Sequence, residues 1–313
     1  MLPFYNIETT VATIECLRTT PNLRRICGFE SINDIPSEAT FSRAFKEFAD
    51  MNLSAITHQA LIKEYLGDEI IMHISRDSTA IKAREKAVSK PNKEETKAKK
   101  KRKLGRPKKG EEKPKEPTRL QRQQNMTLEE MLEDLPKDCD FGCKKNSNGK
   151  KETWKGYKLH VDWADRGIPI SCLLTSASLH DSQTSLPLSE MTNRAITNFY
   201  DLMDAAYDAE IIRADSIKRN HVPIIDSNPR NNEKIEMEPA KKERYKNRSN
   251  AERGFSRLKD EFGARKIRVR GNKKIFTALM FATLVLTADQ LIILADEIIE
   301  RSERQETPNS KAA

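Results

Sequence analysis

Apolar residues follow two different periods along the chain. Near the N-terminus they recur at helical spacing, and in residues 40–48 four apolar side chains share one helix face. Residues 1–67 are therefore predicted to form a small helical domain. Such a domain suits insertion of a helix into a DNA groove, with Ser42, Arg43 and Lys46 on its outer side. Plain helix packing explains the same pattern equally well.

The middle of the chain alternates apolar and polar residues, which is the period of a half-buried β-strand. Residues 157–163 alternate most clearly, and a turn at 165–167 leads into a more apolar strand, residues 168–175. The runs 69–76 and 199–203 are also strand-like, and they end at Asp77 and Asp204. A strand at 221–225 and helices after His180-Asp181, from about Tyr207, and from Tyr245 to Lys259 complete the pattern. This order predicts an α/β domain with a mixed sheet flanked by helices, in which ligands gather at the carboxyl ends of parallel strands.

The net positive charge of the chain comes from one segment. The whole chain has a net charge of +9, but residues 82–122 hold 18 Lys/Arg and 6 Asp/Glu, a net +12. The remainder is therefore slightly acidic. The basic segment is rich in Lys, Glu and Pro and has few large apolar side chains, so residues 85–125 are predicted to be a disordered insertion. It separates a first strand, residues 68–84, from the rest of the domain, residues 126–300, and residues 301–313 are predicted to be a disordered tail.

Cysteine usage and hydropathy exclude several classes of protein. Five cysteines form an odd, sparse set, which is typical of reduced thiols in a cytoplasmic protein. Cys139 and Cys143 are four residues apart, but no second pair at zinc-ligand spacing accompanies them. The N-terminus lacks the pattern of a signal peptide. The most apolar stretch, Ile275 to Leu286, is too short to span a bilayer and is predicted to be a buried core helix.

The predicted helix from Tyr245 to Lys259 has the most informative face. Tyr245, Arg248, Glu252 and Lys259 are separated by near-whole turns and fall within roughly a 60° arc at about 100° per residue. A carboxylate between cations suits a site that holds a metal ion and a phosphodiester together. A solvated face with ion pairs between successive turns is the alternative.

Two aspartates elsewhere in the chain favour a metal site over a solvated helix face. Phosphodiester chemistry with two divalent ions needs carboxylates that converge on metals about 3.5–4 Å apart, and hard oxygen ligands suit Mg²⁺, with Mn²⁺ as a substitute. Asp77 and Asp204 at strand ends, with Glu252 on the following helix, are the candidate catalytic residues and metal ligands. Asp208 is a competing candidate, and His180 is given a structural or supporting role.

The motifs around these residues resemble those of bacterial insertion-sequence DDE transposases. The family signature Tyr-x2-Arg-x3-Glu-x6-Lys is matched without a gap by Tyr245, Arg248, Glu252 and Lys259. Four neighbouring segments occur in family order: those that contain Asp77, His160, His180-Asp181 and Asp204.

The resemblance covers residues 69–295. It implies an RNase H-like fold in which Asp77, Asp204 and Glu252 are the DDE triad and hold two Mg²⁺ ions. It also implies that Tyr245, Arg248 and Lys259 contact the DNA strand near the scissile phosphate. The lysine-rich insertion departs from the family, because it lies between the first two strands, where the compact fold needs only a turn.

The basic insertion adds a candidate DNA-binding arm. Gly105-Arg106-Pro107, with Lys103 and Lys108 on either side, is similar to an AT-hook, although Leu104 replaces the arginine that usually precedes the glycine. Binding here would be largely electrostatic, and Arg106 suits a narrow minor groove. A solvated linker is the alternative. A second cluster that includes Arg268 and Arg270 follows the glutamate helix and would extend the DNA track.

Together these features predict a DNA transposase of an insertion sequence. It would cleave DNA at the ends of the element and transfer the 3′-hydroxyl into target DNA. The expected partners are transposon-end and target DNA, bound by a homodimer. The expected location is the bacterial cytoplasm, on the nucleoid and not at a membrane. A structure-selective nuclease on the same fold and a catalytically decayed DNA-binding inhibitor are the alternatives.

Overall fold

The computed structural model describes residue 7 and residues 9–88, 116–145, 149–229 and 235–306. In these residues, six strands form one mixed sheet with the order β2-β3-β1-β5-β6, and β4 pairs with β3. The strands are β1 (Ile70–Lys82), β2 (Asp140–Lys145), β3 (Lys151–Ala164), β4 (Pro169–Ser176), β5 (Thr197–Met203) and β6 (Val222–Ile225). The mixed α/β architecture is the predicted one, and strand β2 is an addition that the sequence did not predict.

Helices cover both faces of this sheet and precede it. The helices before the sheet are α1 (Thr10–Thr19), α2 (Pro21–Ile26), α3 (Glu38–Asp50) and α4 (Leu53–Leu66). Those that follow β1 are α5 (Arg119–Gln123), α6 (Leu128–Asp134), α7 (Ser185–Ala195), α8 (Glu210–Lys218), α9 (Pro239–Tyr245), α10 (Ser249–Asp260) and α11 (Asn272–Glu306). Helix α5 lies inside the range 85–125 for which the sequence predicted disorder. Its capping box, in which Thr118 and Gln121 bond reciprocally, explains why a helix begins there.

The central strand β1 sets the geometry of the sheet. It runs antiparallel to β3, with Asp77 opposite Val161, and parallel to β5, with Arg76 opposite Met203. Strands β3 and β4 form the predicted antiparallel hairpin. One prediction is wrong: β1 does not end at Asp77, because its pairing with β3 continues to Lys82. Only the parallel pairing with β5 stops beside Asp77.

The larger core lies between β3 and the pair α10 and α11. Tyr157, Leu159, Val161 and Trp163 of β3 are 0–2% exposed and belong to the same apolar cluster as Phe255 and Leu258 of α10. The opposite face of β3 is buried as well, since His160 and Asp162 are both 0% exposed. Strand β3 is therefore buried on both faces, whereas its alternating sequence predicted one face in water.

A buried ion pair lies on that second face of the sheet. Arg76 Nε and Nη2 each donate to Asp162 at 2.7 Å, and the side chains are only 2% and 0% exposed. Arg76 Nη1 donates to Ser185 and Ser189 of α7, and Thr192 donates to Asp162. These contacts join β1, β3 and α7 through charged groups whose hydrogen bonds compensate for burial. Because alternate side chains of a strand point to opposite faces, Asp77 emerges on the other face of β1.

Helix α4 packs on the sheet domain, although the sequence placed a boundary at residue 67. Ile62 and Leu66 share an apolar cluster with Ile74 of β1 and Ile170 of β4. Ser54 donates to the carbonyl of Thr277 in α11 at 3.3 Å. Helix α4 is therefore part of the unit that holds β1 in place. The three side chains expected on the outer side of α3 are all exposed: Ser42, Arg43 and Lys46.

Helix α11 contains the predicted core helix and extends it. Ile275, Leu279 and Leu286 are 0% exposed and pack in the larger core, which confirms the prediction for residues 275–286. By length and composition alone, the span Asn272–Glu300 would also be long and apolar enough to cross a membrane. The first half of α11 is buried against the sheet, however, as is typical of a core helix.

Candidate active site

Three alternate residues of β1 face α10 and the residues just before it. Ser75 Oγ donates to the carbonyl of Asn247 at 3.2 Å, and Asp77 Oδ2 accepts from Arg248 Nη2 at 3.0 Å. Thr79 Oγ1 accepts a short hydrogen bond from Lys259 Nζ. Because alternate side chains of a strand share one face, Ser75, Asp77 and Thr79 each contact a residue in or just before α10. Ser75 and Thr79 are not among the residues predicted for the site; the alternation of side chains on either side of Asp77 is the signal that indicates them.

Asp204 lies beside Asp77 because of the strand register. Arg76 pairs with Met203, so one further step along the two parallel strands places Asp77 next to Asp204, with neighbouring strands about 4.8 Å apart. Asp204 follows the last residue of β5, as predicted, and its Oδ1 accepts from the amide of Ala206 at 2.9 Å. This cap fixes one carboxylate oxygen and leaves the other directed at Arg248.

Arg248 joins all three candidate carboxylates. Its Nη2 lies 3.0 Å from Asp77 Oδ2 and 3.7 Å from Asp204 Oδ2, and its Nη1 lies 3.3 Å from Glu252 Oε1. The guanidinium is largely buried, whereas the Glu252 side chain is 68% exposed. The structure therefore brings Asp77, Asp204 and Glu252 to one place, around a single positive charge.

The segment that carries Tyr245, Arg248 and Glu252 is not the single helix that the sequence predicted. Helix α9 ends at Tyr245, a 3₁₀ turn spans Lys246–Arg248, and α10 begins at Ser249. The turn tightens the backbone between Tyr245 and Glu252. The three side chains still approach the site together, because the backbone stays in the right-handed helical region at Tyr245, Lys246, Arg248 and Ser249.

The two aspartates, Asp77 and Asp204, are held in an environment that resists their ionisation. Burial raises the pKa of Asp77 from 3.8 to about 6, against the opposing effect of Arg248, and the charges of Asp204 and Asp181 add to the increase. Burial likewise raises the pKa of Asp204, with Asp181 contributing. Like charges and partial desolvation are the two causes, and a cation bound among these groups would relieve both. Perturbed carboxylates that share a cleft are typical of functional sites.

The two remaining residues of the signature border the same site. Burial raises the pKa of Tyr245 to about 12, and the charges of Asp226, Asp204 and Asp77 act in the same direction, so its hydroxyl stays a hydrogen-bond donor. Burial lowers the pKa of Lys259 to about 8, and the neighbouring cations Lys144 and Arg265 add to the decrease. Lys259 is therefore a cation that gains strongly from an anionic ligand.

Asp181, whose charge acts on both aspartates, lies close to Lys158 and His160. Lys158 Nζ lies 2.9 Å from Asp181 Oδ1, and His160 Nδ1 lies 3.9 Å from the same oxygen.

His160 is fully buried between Thr175 and Thr184, and burial lowers its pKa to about 4. His180 caps the 3₁₀ turn that follows it and accepts from the amide of Ser182. Asp208, the competing candidate, pairs with Arg213 at 2.8 Å.

The donor atoms suit a hard divalent cation, but they are currently bound to Arg248. Within the described ranges, no three His, Cys, Asp or Glu side chains lie close enough together to hold one metal ion as they stand. Two carboxylate oxygens nevertheless approach a single nitrogen of Arg248, and the exposed Glu252 can change rotamer to join them. Carboxylate oxygens are the ligands that Mg²⁺ and Mn²⁺ prefer. Asp77, Asp204 and Glu252 therefore fit such ions once the guanidinium moves aside.

The other predicted DNA-binding residues lie outside this cluster. In residues 266–270, which belong to no helix or strand, Ile267 and Val269 pack against the core while Arg268 and Arg270 are exposed. A cavity beside this segment is lined by Lys82, Arg84, Arg265, Lys266 and Arg268. It continues the positive surface that begins at Lys259. Lys103, Arg106 and Lys108 lie outside the described residues.

The mixed sheet and the three carboxylates together indicate the class of protein. A mixed six-stranded sheet flanked by helices, as seen in the part of the chain that the structure describes, is consistent with the RNase H-like fold. A family model described as Transposase DDE domain matches residues 70–288. Because this match covers well over half of the chain, the protein belongs to the insertion-sequence DDE transposases. No curated protein and no solved structure gave a match. Transposases act on DNA, and this family generally uses divalent metal ions.

Proposed function

We propose that this transposase cleaves DNA at the ends of its element and joins the freed 3′-hydroxyl to target DNA, with Asp77, Asp204 and Glu252 as its catalytic carboxylates. The observation that carries the proposal is the contact of all three carboxylates with Arg248, at 3.0, 3.7 and 3.3 Å. Three residues that are far apart in the sequence converge on one positive charge. A site built in this way is able to hold cations.

The three carboxylates would hold Mg²⁺, or Mn²⁺ in its place. Two such ions would activate the attacking oxygen and stabilise the leaving oxygen of a phosphodiester. In the first reaction, water attacks phosphorus and the bond to the 3′-oxygen breaks, which leaves a 3′-hydroxyl. In the second, that hydroxyl attacks a target phosphodiester, so one phosphorus–oxygen bond forms as another breaks.

The side chains around the carboxylates would bind and orient the DNA. Arg248 must leave the carboxylates when they take up metal, and a phosphodiester is the other partner that its planar fork fits. Burial and neighbouring cations lower the pKa of Lys259. A DNA phosphate beside its ammonium group would stabilise the charged form. Tyr245 would donate from its hydroxyl. Positioning and charge neutralisation would then supply most of the rate enhancement.

A positive surface would lead the DNA away from this site. Lys259, Arg268 and Arg270 would bind the backbone beyond the scissile phosphate, and the arm with Lys103, Arg106 and Lys108 would add salt-dependent affinity. We further expect a homodimer on the DNA and association with the bacterial nucleoid.

Neutral variants of the three carboxylates test the proposal. Asp77→Asn, Asp204→Asn and Glu252→Gln are each expected to abolish Mg²⁺-dependent nicking of a labelled DNA that carries the terminal repeats of the element. Asp208→Asn is the matched control, since it removes a carboxylate four residues from Asp204 that pairs with Arg213 instead. Retained nicking in any of the three variants would refute its assignment.

The products of the wild-type reaction separate the alternatives. Joining of labelled 3′-ends to a plasmid target supports the transposase assignment in full. Cleavage without joining would favour a nuclease. Binding without cleavage, in the wild-type chain with Mg²⁺ present, would favour a decayed element.

A further inference from the structure

A cationic cavity lies on the flank of α10 that faces away from the three carboxylates. It has a volume of about 270 Å³ and opens between α10, α11 and the turn that joins β3 to β4. The described residues that line it include no acidic side chain. They include three arginines and two amides: Arg166, Arg253, Arg257, Asn250 and Gln290.

The positions of these residues on α10 separate the cavity from the active site. At about 100° per residue, Arg248, Glu252 and Lys259 span roughly 40° of the helix. Asn250, Arg253 and Arg257 are centred about 150° away from them. A helix with its side chains is about 10–12 Å wide, so the cavity and the carboxylates are about one helix diameter apart. Glu252 and Arg253 are both exposed on the crest between them.

The backbone and amides hold the arginines at the cavity. Arg166 adopts φ +65°, a left-handed conformation that is uncommon for a residue other than glycine or asparagine and is often kept for function. The amide of Gln290, in the orientation that satisfies both of its ends, donates to the carbonyl of Arg166 at 2.7 Å and accepts from Arg257. One amide thus connects the turn to the helix.

The present partners of the arginines leave their charge available. Arg166 pairs with Glu297, and Arg257 pairs with Glu261 and Asp289, but these three carboxylates are 45%, 50% and 37% exposed and do not line the cavity. Exposed pairs of this kind contribute little stability. Arg253 donates to the neutral oxygen of Asn250, a residue that is only 6% exposed. An anion in the cavity would therefore meet three guanidinium groups without displacing an acid from it.

We propose that this cavity binds a backbone phosphate of the same DNA strand whose scissile phosphodiester enters the carboxylate site. Planar guanidinium groups bind phosphate through paired hydrogen bonds. A strand that crosses the crest of α10 reaches both flanks. This inference rests on the proposed function, because it takes DNA as the substrate.

The salt dependence of DNA binding by the full chain tests the inference. Affinity for labelled DNA is measured without Mg²⁺, so that binding is separated from cleavage, over a series of salt concentrations. The variants are Arg253→Gln and the pair Arg166→Gly with Arg253→Gln, since glycine accepts the φ of residue 166. Arg194→Gln is the control, because it removes an exposed arginine of α7 that pairs with Glu190 and Glu129.

Loss of a bound phosphate has a defined signature. The slope of log K against log salt is expected to decrease in magnitude by about 0.7–0.9 in the paired variant, and affinity to fall roughly tenfold or more. Arg253→Lys is expected to keep the slope and lose affinity, because it retains the charge without the fork. The control should match the wild-type chain in both.

Two results would overturn the inference alone and leave the proposed function in place. An unchanged slope and affinity in the paired variant, with normal melting and with wild-type cleavage intact, would refute the cavity and spare the proposed function. A rise in melting temperature when inorganic phosphate replaces chloride, lost in Arg253→Gln while DNA binding is unaffected, would show a free-anion site instead. If the wild-type chain neither binds nor cleaves DNA, the proposed function fails together with this inference.

Discussion

Substitution of Gly254 by alanine should impair catalysis more than it impairs folding. A Cβ atom built on Gly254 would lie 2.5 Å from Cε3 and from Cζ3 of Trp163 and 2.8 Å from its Cη2. Carbon atoms prefer separations of about 3.5–4.0 Å, so the helix or the ring must move by about 1 Å. Trp163 is 0% exposed and packs edge-on against Phe255, with ring centroids 5.1 Å apart. Helix α10 is therefore the element expected to shift.

Two opposing effects set the change in stability. Overpacking of a core costs about 1–3 kcal/mol. Alanine in place of glycine within a helix returns about 1 kcal/mol. The net loss of folding free energy for Gly254→Ala should be roughly 0–2 kcal/mol. The same shift of α10 carries Glu252 and Lys259 with it, and a displacement of about 1 Å at reacting groups costs about 100-fold in rate.

Denaturant unfolding and nicking of terminal-repeat DNA measure the two effects separately. Trp163→Leu removes the ring atoms that the new methyl group meets, so a double-mutant cycle should show a favourable coupling of about 0.5–3 kcal/mol. Ser256→Ala, on the exposed side of α10, is the control and should leave both quantities near wild type. Wild-type nicking by Gly254→Ala, together with zero coupling to Trp163, would refute the reasoning.

Two further predictions concern the charges beneath and within the site. Asp162→Asn should lower the free energy of unfolding by about 3–5 kcal/mol, because it leaves the buried guanidinium of Arg76 without its charged partner; a loss below about 1 kcal/mol in denaturant unfolding would contradict the role of this pair. For Asp77, folding raises the pKa from 3.8 to about 6. Its contribution to stability is therefore fully present below about pH 4 and is lost as the pH rises through about 6. Since metal and proton compete for this carboxylate, Mg²⁺ should raise the melting temperature at about pH 8 and have much less effect at about pH 5; equal shifts at both values would count against Asp77 as a ligand.

Local patterns were sufficient wherever a residue's role depends on its neighbours in the sequence. The alternation in residues 157–163 predicted a strand, and the end of β5 at Met203 placed Asp204 after it. These features follow from backbone periodicity, which short stretches of sequence display directly.

Contacts between distant segments could not be predicted in the same way. Asp77 is not at the end of β1, because a strand ends where its partners end, and β3 continues to pair after β5 has stopped. The buried pair of Arg76 and Asp162 joins residues 86 positions apart. A charged residue in an alternating pattern is predicted to face water unless a partner on another strand is known to meet it.

The sequence by itself determined the periodicity of the strands and helices, the confinement of positive charge to one segment, and the identity of the three candidate carboxylates. Tertiary structure alone decided that Arg248 lies between those carboxylates. It also decided that Arg166, Arg253 and Arg257 meet at one cavity on the opposite flank of the same helix. The physical reason is that secondary structure is encoded by local spacing, whereas the charge surrounding a group depends on which distant segments the packed core brings against it.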